Sequence, residues 1–260
     1  MKVLVLLCAY GVISGVLADF VDDPDVQLPS YMRICNRDDP ELGRCIKDSV
    51  QRLLPELHTG IPSIDFPAID PFTQDSSYFE YQNQQIQGSM HIKNAKTYGL
   101  SQAKIQDVRA TTDDDSFQME VDVRFPKLIT EGKFKGEGRF NTIKVASKGY
   151  FNITTADVST TWKISGKTSE RNGEQYLLID KFDMSPEVGD MKIYATGLFP
   201  DAGLNQVALD FVNQYWPSLY KQMLPETRRS WEPIMLDVIN KMFNRVPYRR
   251  LLPKSGSDSF

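Results

Sequence analysis

The amino-acid sequence predicts an α+β fold in which a long C-terminal helix packs on an antiparallel β-sheet. Residues 78–197 contain short runs of alternating apolar and polar residues, separated by Gly, Asp and Asn, which is typical of successive antiparallel strands. From residue 204 to residue 246 the apolar residues recur instead at intervals of three and four, which is the spacing of a helix. Strands followed by helices, rather than alternating with them, indicate the α+β class.

The N-terminal segment, residues 1–18, predicts a signal peptide. Lys2 precedes an almost wholly apolar run, and the small residues around Ala18 fit cleavage after that residue. The alternative is a transmembrane anchor, but the run is shorter than the roughly 20 apolar residues that a spanning helix needs. We therefore expect a secreted, extracellular protein in which residues 19–247 form a single domain with no stable membrane insertion.

Two cysteines, Cys35 and Cys45, remain once the signal peptide and its Cys8 are removed. In an oxidising compartment a lone pair of cysteines is expected to form a disulfide, which here closes a short loop. A metal site is the alternative, but the chain has only two histidines, His58 and His91, and neither shares a ligand spacing with the cysteines. We expect a disulfide, no metal and no cofactor.

The first helix is predicted over residues 45–57. Apolar residues recur there at intervals of three and four, and Gly60 and Pro62 end the pattern. Residues 61–72 contain three prolines. Because proline fixes φ and lacks an N–H donor, this stretch is expected to be extended and irregular.

Each predicted strand is apolar on one face only, which indicates a sheet with one solvated face. In the clearest run, polar residues alternate with Phe117, Met119, Val121, Val123 and Phe125. The other residues expected to point inward are Ile86, Met90, Ile92, Val158, Trp162, Ile164, Tyr176, Leu178, Phe182, Met184, Met191, Ile193 and Ala195.

One strand also contains an N-glycosylation sequon, Asn152-Ile153-Thr154. A glycan on Asn152 must face solvent. If the sequon is used, the neighbouring Phe151 and Ile153 point inward and Tyr150 does not.

The C-terminal helical pattern has an apolar stripe that is expected to pack on the sheet. Its first part contains Leu204, Val207, Ala208, Phe211, Tyr215, Leu219, Tyr220, Met223 and Leu224, and Ile234, Met235, Val238, Ile239, Met242 and Phe243 continue it. Pro217 can occupy a first helical turn, whereas Pro225 and Pro233 are expected to kink or break the helix. Residues 248–260 are basic and then rich in Ser and Gly, which predicts a flexible tail.

The sequence offers no recognisable catalytic site. It lacks a G-x-S-x-G motif, and two histidines leave few candidates for a Ser–His or Cys–His pair. Gly166-Lys167-Thr168 matches the end of a phosphate-binding loop, but the first glycine of that motif would fall at Thr161. The chain has 30 basic and 34 acidic residues, a net charge of −4, and no basic run fits a nucleic-acid backbone. We expect neither an enzyme nor a nucleic-acid-binding protein.

Several motifs, in their order and spacing, resemble the insect haemolymph juvenile hormone-binding and Takeout proteins. The opening motifs are Leu28-Pro29, Cys35, Cys45, Ser49-Val50, Leu53-Leu54-Pro55-Glu56-Leu57, Gly60-Ile61-Pro62 and Asp70-Pro71-Phe72. The later ones are Tyr98-Gly99-Leu100, Leu198-Phe199, Leu204-Asn205, Asn213, Trp216, Leu224-Pro225, Phe243 and Pro247. The resemblance covers essentially the whole chain after the signal peptide.

This resemblance implies a tubular lipid-binding fold, in which a highly curved antiparallel sheet wraps the long C-terminal helix and leaves an apolar tunnel. It also implies that the disulfide lies near the N-terminal end of the tunnel, and that the protein carries juvenile hormone or another hydrophobic ligand without catalysis. Many relatives have a tyrosine where this chain has Phe134, and the missing hydroxyl favours a more purely apolar ligand.

Our main hypothesis is a secreted carrier for a small apolar molecule, such as a juvenile hormone-like terpenoid or a fatty acyl chain. The rival hypothesis is an interaction or signalling protein with the same fold, a vestigial cavity and an unknown receptor or carrier partner. Composition alone leaves core and cavity open for the inward residues. The predicted ligand-binding set is Leu54, Met90, Ile92, Met119, Val121, Val123, Phe134, Phe151, Trp162, Phe182, Met191, Ile193, Val207, Phe211, Tyr215, Leu219 and Met223.

Overall fold

The computed structural model describes residues 27–82, 86–140 and 143–256. It has the expected α+β architecture, a curled antiparallel half-barrel sheet with a long C-terminal helix. The predicted signal peptide, residues 1–18, lies outside the described residues.

The sheet is organised around one very long hairpin. Its strands are β1 Phe72–Gln82, β2 Ile86–Tyr98, β3 Lys104–Thr112, β4 Ser116–Phe140, β5 Ile143–Arg171, β6 Glu174–Asp183 and β7 Glu187–Ala195. The pairing order is β1-β2-β4-β5-β6, with β3 added on β4 and β7 added on β5. We term residues 116–125 and 158–171 the proximal half of the β4–β5 hairpin, and residues 128–140 and 143–156 the distal half. Strands β3 and β6 pair with the proximal half, whereas β2 and most of β7 pair with the distal half.

The first helix, α1, spans Leu42–Leu53. It begins three residues earlier than predicted, after a turn in which the Asp39 carboxylate accepts a hydrogen bond from the Glu41 N–H at 2.8 Å. It also ends earlier, because Pro55 has no N–H with which to continue the helical ladder, and a 3₁₀ helix, Glu56–Thr59, replaces the last predicted turn. The predicted disulfide is present between Cys35 and Cys45 and fastens α1 to the preceding loop.

The C-terminal helix, α2, spans Ala202–Phe243, which is 42 residues and about 63 Å at 1.5 Å per residue. Pro225 and Pro233 were expected to kink or break the helix; they do not break it, since the helix runs on through both. Asn213 and Asn240, on either side of these prolines, each hydrogen-bond to the sheet backbone and hold the helix in place. In the described part of the chain, no helix is both long and apolar enough to cross a membrane.

The first part of the stripe expected to pack on the sheet is mostly exposed, whereas Met235, Ile239, Met242 and Phe243 of its second part pack against the core as predicted. Leu204, Val207, Phe211 and Tyr215 are 56%, 65%, 54% and 47% exposed, so the prediction that this face is buried is wrong. Leu209 is buried in its place. The reason lies in the hydrogen bonds of the helix to the sheet edge, described below, which fix its rotation.

The inward face predicted for the proximal half is confirmed. Phe117, Met119, Val121, Val123 and Phe125 are all buried, and they belong to the large hydrophobic core. That core also packs against the C-terminal part of α2, including Met235, Leu236, Ile239 and Phe243.

The buried positions of β4 change from odd to even numbers along the hairpin, since Phe134 is buried in the distal half. Pro126 and Asp157 face each other at this change without forming a ladder pair, and Asp157 has a φ of 52°. A left-handed residue within a strand interrupts the alternation of side chains. Buried residues on both sides of the interruption pack against α2.

A second irregularity corrects the prediction for β6. Leu178 was expected to point inward, but it is 42% exposed, while Leu177 and Ile179 are buried. The pairing of β5 with β6 shifts by one residue between Ser165 and Gly166. Such a bulge reverses the alternation of faces between the residues on its two sides.

The segment predicted as a tail, residues 248–260, is ordered at its start. The short helix α3, Tyr248–Leu251, follows α2 closely. Tyr248 is fully buried, and the Arg37 guanidinium lies 4.7 Å from the centre of its ring. Leu251 and Leu252 are also buried, so the domain extends beyond residue 247 because these apolar side chains complete the core.

Candidate functional site

Helix α2 lies across the open side of the half-barrel. It contacts β1 at one edge of the sheet and β6 and β7 at the other. The concave face of the sheet therefore faces the helix, and any molecule held inside would lie between the two.

In the distal half the inner face is made of uncharged side chains. Residues directly opposite each other on neighbouring antiparallel strands share a face, so the ladder defines rows of inward residues. Five of the inner rows are Phe79–Met90–Gly136–Ser147, Ser77–Ile92–Phe134–Gly149, Gly132–Phe151–Ala195, Thr130–Ile153–Ile193 and Leu128–Thr155–Met191. These rows, all described in the structure, contain no ionisable side chain. Their only polar side chains are Ser and Thr hydroxyls.

This distal inner face is only sparsely filled. Its buried cluster consists of Phe134, Phe151, Ala195 and Leu209. Met90 belongs to the same face as Phe134, yet it is 37% exposed. An inward apolar side chain that is this accessible is not covered by a packed core at its position.

Phe151 is held in place by a glycine on the neighbouring strand. A Cβ added to Gly132 would lie 3.1 Å from Cε1 of the Phe151 ring. The ring therefore lies directly on the Gly132 backbone, and a larger residue at position 132 would displace it. This contact sets one wall of the distal space.

The proximal half, by contrast, is a packed core. Of the predicted ligand-binding residues, Leu54, Met119, Val121, Val123 and Phe182 are buried there. Trp162 is partly buried, and its ring centroid lies 6.2 Å from that of Phe125 and 6.4 Å from that of Phe182. The structure thus separates these six residues from the distal set of Met90, Ile92, Phe134, Phe151, Met191 and Ile193.

The rotation of α2 is set by asparagine side chains that bind the edge of the sheet. Asn213 accepts a hydrogen bond from the Ile193 N–H and donates one to the Ile193 carbonyl, both at 2.8 Å. Asn205 accepts from the Leu198 N–H at 2.9 Å and donates to the Ala195 carbonyl at 3.1 Å. These bonds turn Leu209, which lies between the two asparagines in sequence, towards the distal inner face.

The remaining predicted residues of α2 divide between two sides of the helix. Met223 lies 14 residues after Leu209, within about 40° of it around the helix, and it is 46% exposed. Leu219 is partly buried. Val207, Phe211 and Tyr215 lie on the other side, and their role in ligand binding stays a prediction.

The distal end of the tube is bordered by charged side chains. A groove of about 800 Å³ lies where the ends of β1, β2, β4 and β5 approach α2. Its lining includes Glu80, Glu137, Arg139, Lys144, Glu226 and Arg229. Arg229 forms an ion pair with Glu226 at 2.9 Å. The apolar rows therefore end at a polar rim.

Some residues of the site escaped the sequence prediction. Phe79 pairs with Met90 on the inner face, and its place in an alternating run was the available signal. Leu209 lies outside the apolar stripe of α2, so helical spacing could not identify it. Asn205 and Asn213 gave no signal for edge binding in the sequence.

Comparison with known proteins identifies the family. The profile described as haemolymph juvenile hormone binding protein (JHBP) matches residues 3–253. The chain belongs to the JHBP family. The resemblance stated from the sequence motifs is therefore confirmed.

The relatives of this JHBP-family chain are insect proteins. It is 20% identical over 239 residues to the circadian clock-controlled protein daywake of Drosophila melanogaster, covering 89% of this chain and 91% of the relative. It is 25% identical over 227 residues to a putative beta-carotene-binding protein of Schistocerca gregaria, covering 84% and 86%.

A solved structure confirms the fold of the JHBP-family chain. Takeout 1 of Epiphyas postvittana superposes with a TM-score of 0.65 at 20% identity, covering 84% of this chain and 98% of Takeout 1. The curled sheet with its long C-terminal helix is thus the Takeout fold.

Proposed function

We propose that this JHBP-family protein carries a small hydrophobic molecule in the distal half of its tube, between the inner face of the sheet and α2. The observation that carries the proposal is the combination of an inner wall without ionisable side chains and the accessible Met90 within it. A packed core would have buried this methionine.

The binding energy would come from burial of apolar surface. Each methylene group removed from water contributes about 0.8 kcal/mol, so a terpenoid or an acyl chain can bind well with few polar contacts. Apolar pockets with a few hydroxyl groups are typical of small-molecule sites. Met90 and Met223 add flexible side chains that adapt to ligands of different shape.

The wall favours a ligand that is largely hydrocarbon. Phe134 supplies a ring without a hydroxyl to one of the central inner rows, and its neighbour across the strand is Gly149. The similarity to a putative beta-carotene-binding protein is in keeping with this class. We therefore propose a terpenoid or acyl ligand with little oxygen, rather than one recognised through specific hydrogen bonds.

We propose a carrier rather than an enzyme, and the positions of the two histidines support this. His58 Nδ1 lies 2.8 Å from the Pro55 carbonyl oxygen, outside the tube wall. The ring of His91 lies against that of Tyr78, with centroids 4.6 Å apart, on the outer face of β2. Neither imidazole lies in the inner rows where a ligand would bind.

We also propose that the protein is secreted and glycosylated at Asn152. Asn152 lies on the outer face of the sheet, directly opposite the 54% exposed Tyr194. Secreted protein should lose mass on treatment with an N-glycosidase, and both Asn152→Gln and Thr154→Ala should abolish that loss. An unchanged mass would exclude the glycan.

Native mass spectrometry of the protein purified from the medium of insect cells tests the carrier directly. A stoichiometric adduct, released by organic extraction and identified as apolar, is the expected result. A clean apo mass that persists after incubation with terpenoids and fatty acids would contradict the proposal. It would favour instead an interaction protein with a vestigial cavity.

A further inference from the structure

The outer face of the distal half brings together four lysines from three strands. Lys93 of β2 lies directly opposite Lys133 of β4, and Lys135 of β4 lies directly opposite Lys148 of β5. All four side chains are exposed. We term this set the lysine face. It is invisible in the sequence, because only the strand register places these residues side by side.

This arrangement costs stability unless an anion compensates it, since like charges directly opposite on a sheet repel each other. The two rows concerned are Ser76–Lys93–Lys133–Tyr150 and Tyr78–His91–Lys135–Lys148, and neither contains an acidic residue.

The adjacent rows contain three acidic side chains, Glu80, Glu131 and Glu137, and Glu80 accepts a hydrogen bond from the Tyr78 hydroxyl at 2.6 Å. Glu137 forms an ion pair with Lys135 at 2.7 Å. Glu131 accepts hydrogen bonds from the hydroxyls of Tyr98 and Tyr150. In the described parts of the chain, no carboxylate lies within ion-pair distance of Lys93, Lys133 or Lys148. Three cations of the lysine face are thus available to a partner.

The positive charge is segregated rather than general. The whole chain has a net charge of −4, yet this face also carries Lys96, Arg139 and Lys144 at exposed positions, so that its basic side chains outnumber Glu80, Glu131 and Glu137 of the same outer rows. A local field of this kind orients a protein towards an anionic surface.

We propose that the lysine face docks on the surface of anionic phospholipid membranes. Lysine side chains near such a surface are attracted to its phosphate and carboxylate groups. Tyr78 and Tyr150, which lie in the two lysine rows, are 48% and 37% exposed. Tyrosine is favoured at membrane–water interfaces, and this combination favours a lipid surface over a sulfated polysaccharide or an acidic protein.

The placement connects docking with the ligand site. Phe134 points into the tube between Lys133 and Lys135, and Ile92 does so between His91 and Lys93. The strands that would lie on the membrane therefore form the apolar wall on their other side. Docking would then serve the collection or delivery of an apolar ligand. This part of the inference rests on the proposed function.

Co-sedimentation with phospholipid vesicles tests the docking. The wild type and Asn152→Gln are both used as full secreted chains, because Asn152 lies in the row next to Lys133 and enzymatic removal of a glycan would leave a carboxylate there. Binding is expected to vesicles that contain phosphatidylserine and not to pure phosphatidylcholine, and it should weaken as salt screens the charges. Lys133→Glu/Lys148→Glu is expected to weaken binding by at least about tenfold.

The matched control is Lys167→Glu/Lys181→Glu, which changes the net charge equally at exposed lysines of the proximal half and β6. It should bind vesicles nearly as well as the wild type. An equal loss in both variants would overturn the proposal, because only the net charge would then matter. Wild-type protein that binds heparin but no phosphatidylserine vesicles would also overturn it.

Titration with an apolar fluorescent probe, run in parallel, separates this proposal from the carrier function. If the probe binds and the vesicles do not, docking is wrong while the carrier proposal stands. If the vesicles bind and the probe does not, the carrier proposal fails while docking stands. Retained probe binding by Lys133→Glu/Lys148→Glu shows that this variant is folded.

Discussion

Asn213 of α2 and Ile193 of β7 are joined by two hydrogen bonds of 2.8 Å, one to the N–H and one to the carbonyl of Ile193. Asn240 binds Ile179 of β6 in the same way, with two bonds of 2.9 Å. The side-chain amide thus takes the place of a neighbouring strand at a free sheet edge. An unpaired edge is prone to aggregation, and α2 covers this one while closing the tube.

Replacement of Asn213 by Ala should therefore destabilise the protein. Both the N–H and the carbonyl of Ile193 would lose their partner; an unsatisfied group costs about 1–3 kcal/mol when buried, and less here because Ile193 is only partly buried. We expect Asn213→Ala to lower the free energy of unfolding, measured by urea denaturation, by about 2 kcal/mol. Gln214→Ala, at the exposed neighbouring position, is the control and should change it by less than about 0.5 kcal/mol. Equal stabilities of the two variants would show that the edge bonds are dispensable.

The disulfide should stabilise the proximal core without contributing to the ligand site. Cys35 and Cys45 are separated by 10 residues and are both buried in the large core. Closure of a loop of this size contributes about 2–3 kcal/mol in the chain-entropy model. We expect Cys35→Ser/Cys45→Ser to lose about this free energy of unfolding and to retain binding of an apolar probe at temperatures where it is folded. Reductant should destabilise the wild type but not Cys35→Ser/Cys45→Ser. A wild type whose stability does not change with reductant would contradict the prediction.

Tyr220 should make stability decrease at alkaline pH. Burial raises the pKa of its hydroxyl above the ordinary value of 10.0, and the hydroxyl donates a hydrogen bond to the Pro186 carbonyl at 3.0 Å. The folded protein therefore favours the neutral phenol. This contribution is complete below the unfolded pKa and is lost as pH rises through the raised folded pKa.

The measurement compares urea unfolding of the wild type and Tyr220→Phe at about pH 8 and about pH 11. The variant should be less stable at the lower pH by about 1 kcal/mol, owing to the lost hydrogen bond. It should then lose less stability than the wild type between the two pH values. Identical losses would show that Tyr220 does not contribute to the alkaline sensitivity.

Strand alternation and helical spacing predicted most of the fold, because burial on one face is a local property of the chain. The run from Phe117 to Phe125 shows this best. The prediction failed where the pairing between strands changes the face on which a side chain lies. Leu178 is the example, because the bulge beside it depends on the register of β5 against β6. No single strand carries that information.

The candidate site was only partly predictable for a related reason. Alternation identified inward residues such as Met119 and Met90 equally well, but only tertiary packing distinguishes a filled core from accessible space. On α2 the apolar stripe with Phe211 pointed to the wrong packing face. Two asparagine side chains, through hydrogen bonds to the sheet edge, determined the rotation of the helix more strongly than the hydrophobic pattern did.

The measurement that tests the central claim most directly is the affinity of an apolar fluorescent probe for the wild type, Met90→Trp and His91→Trp. Met90→Trp places a large ring in the distal space, whereas His91→Trp places the same ring on the outer face of the same strand. We expect Met90→Trp to weaken binding at least about tenfold, or about 1.4 kcal/mol, with the free energy of unfolding almost unchanged, and His91→Trp to bind like the wild type. Equal probe affinities of all three proteins would contradict a ligand site in the distal half of the tube.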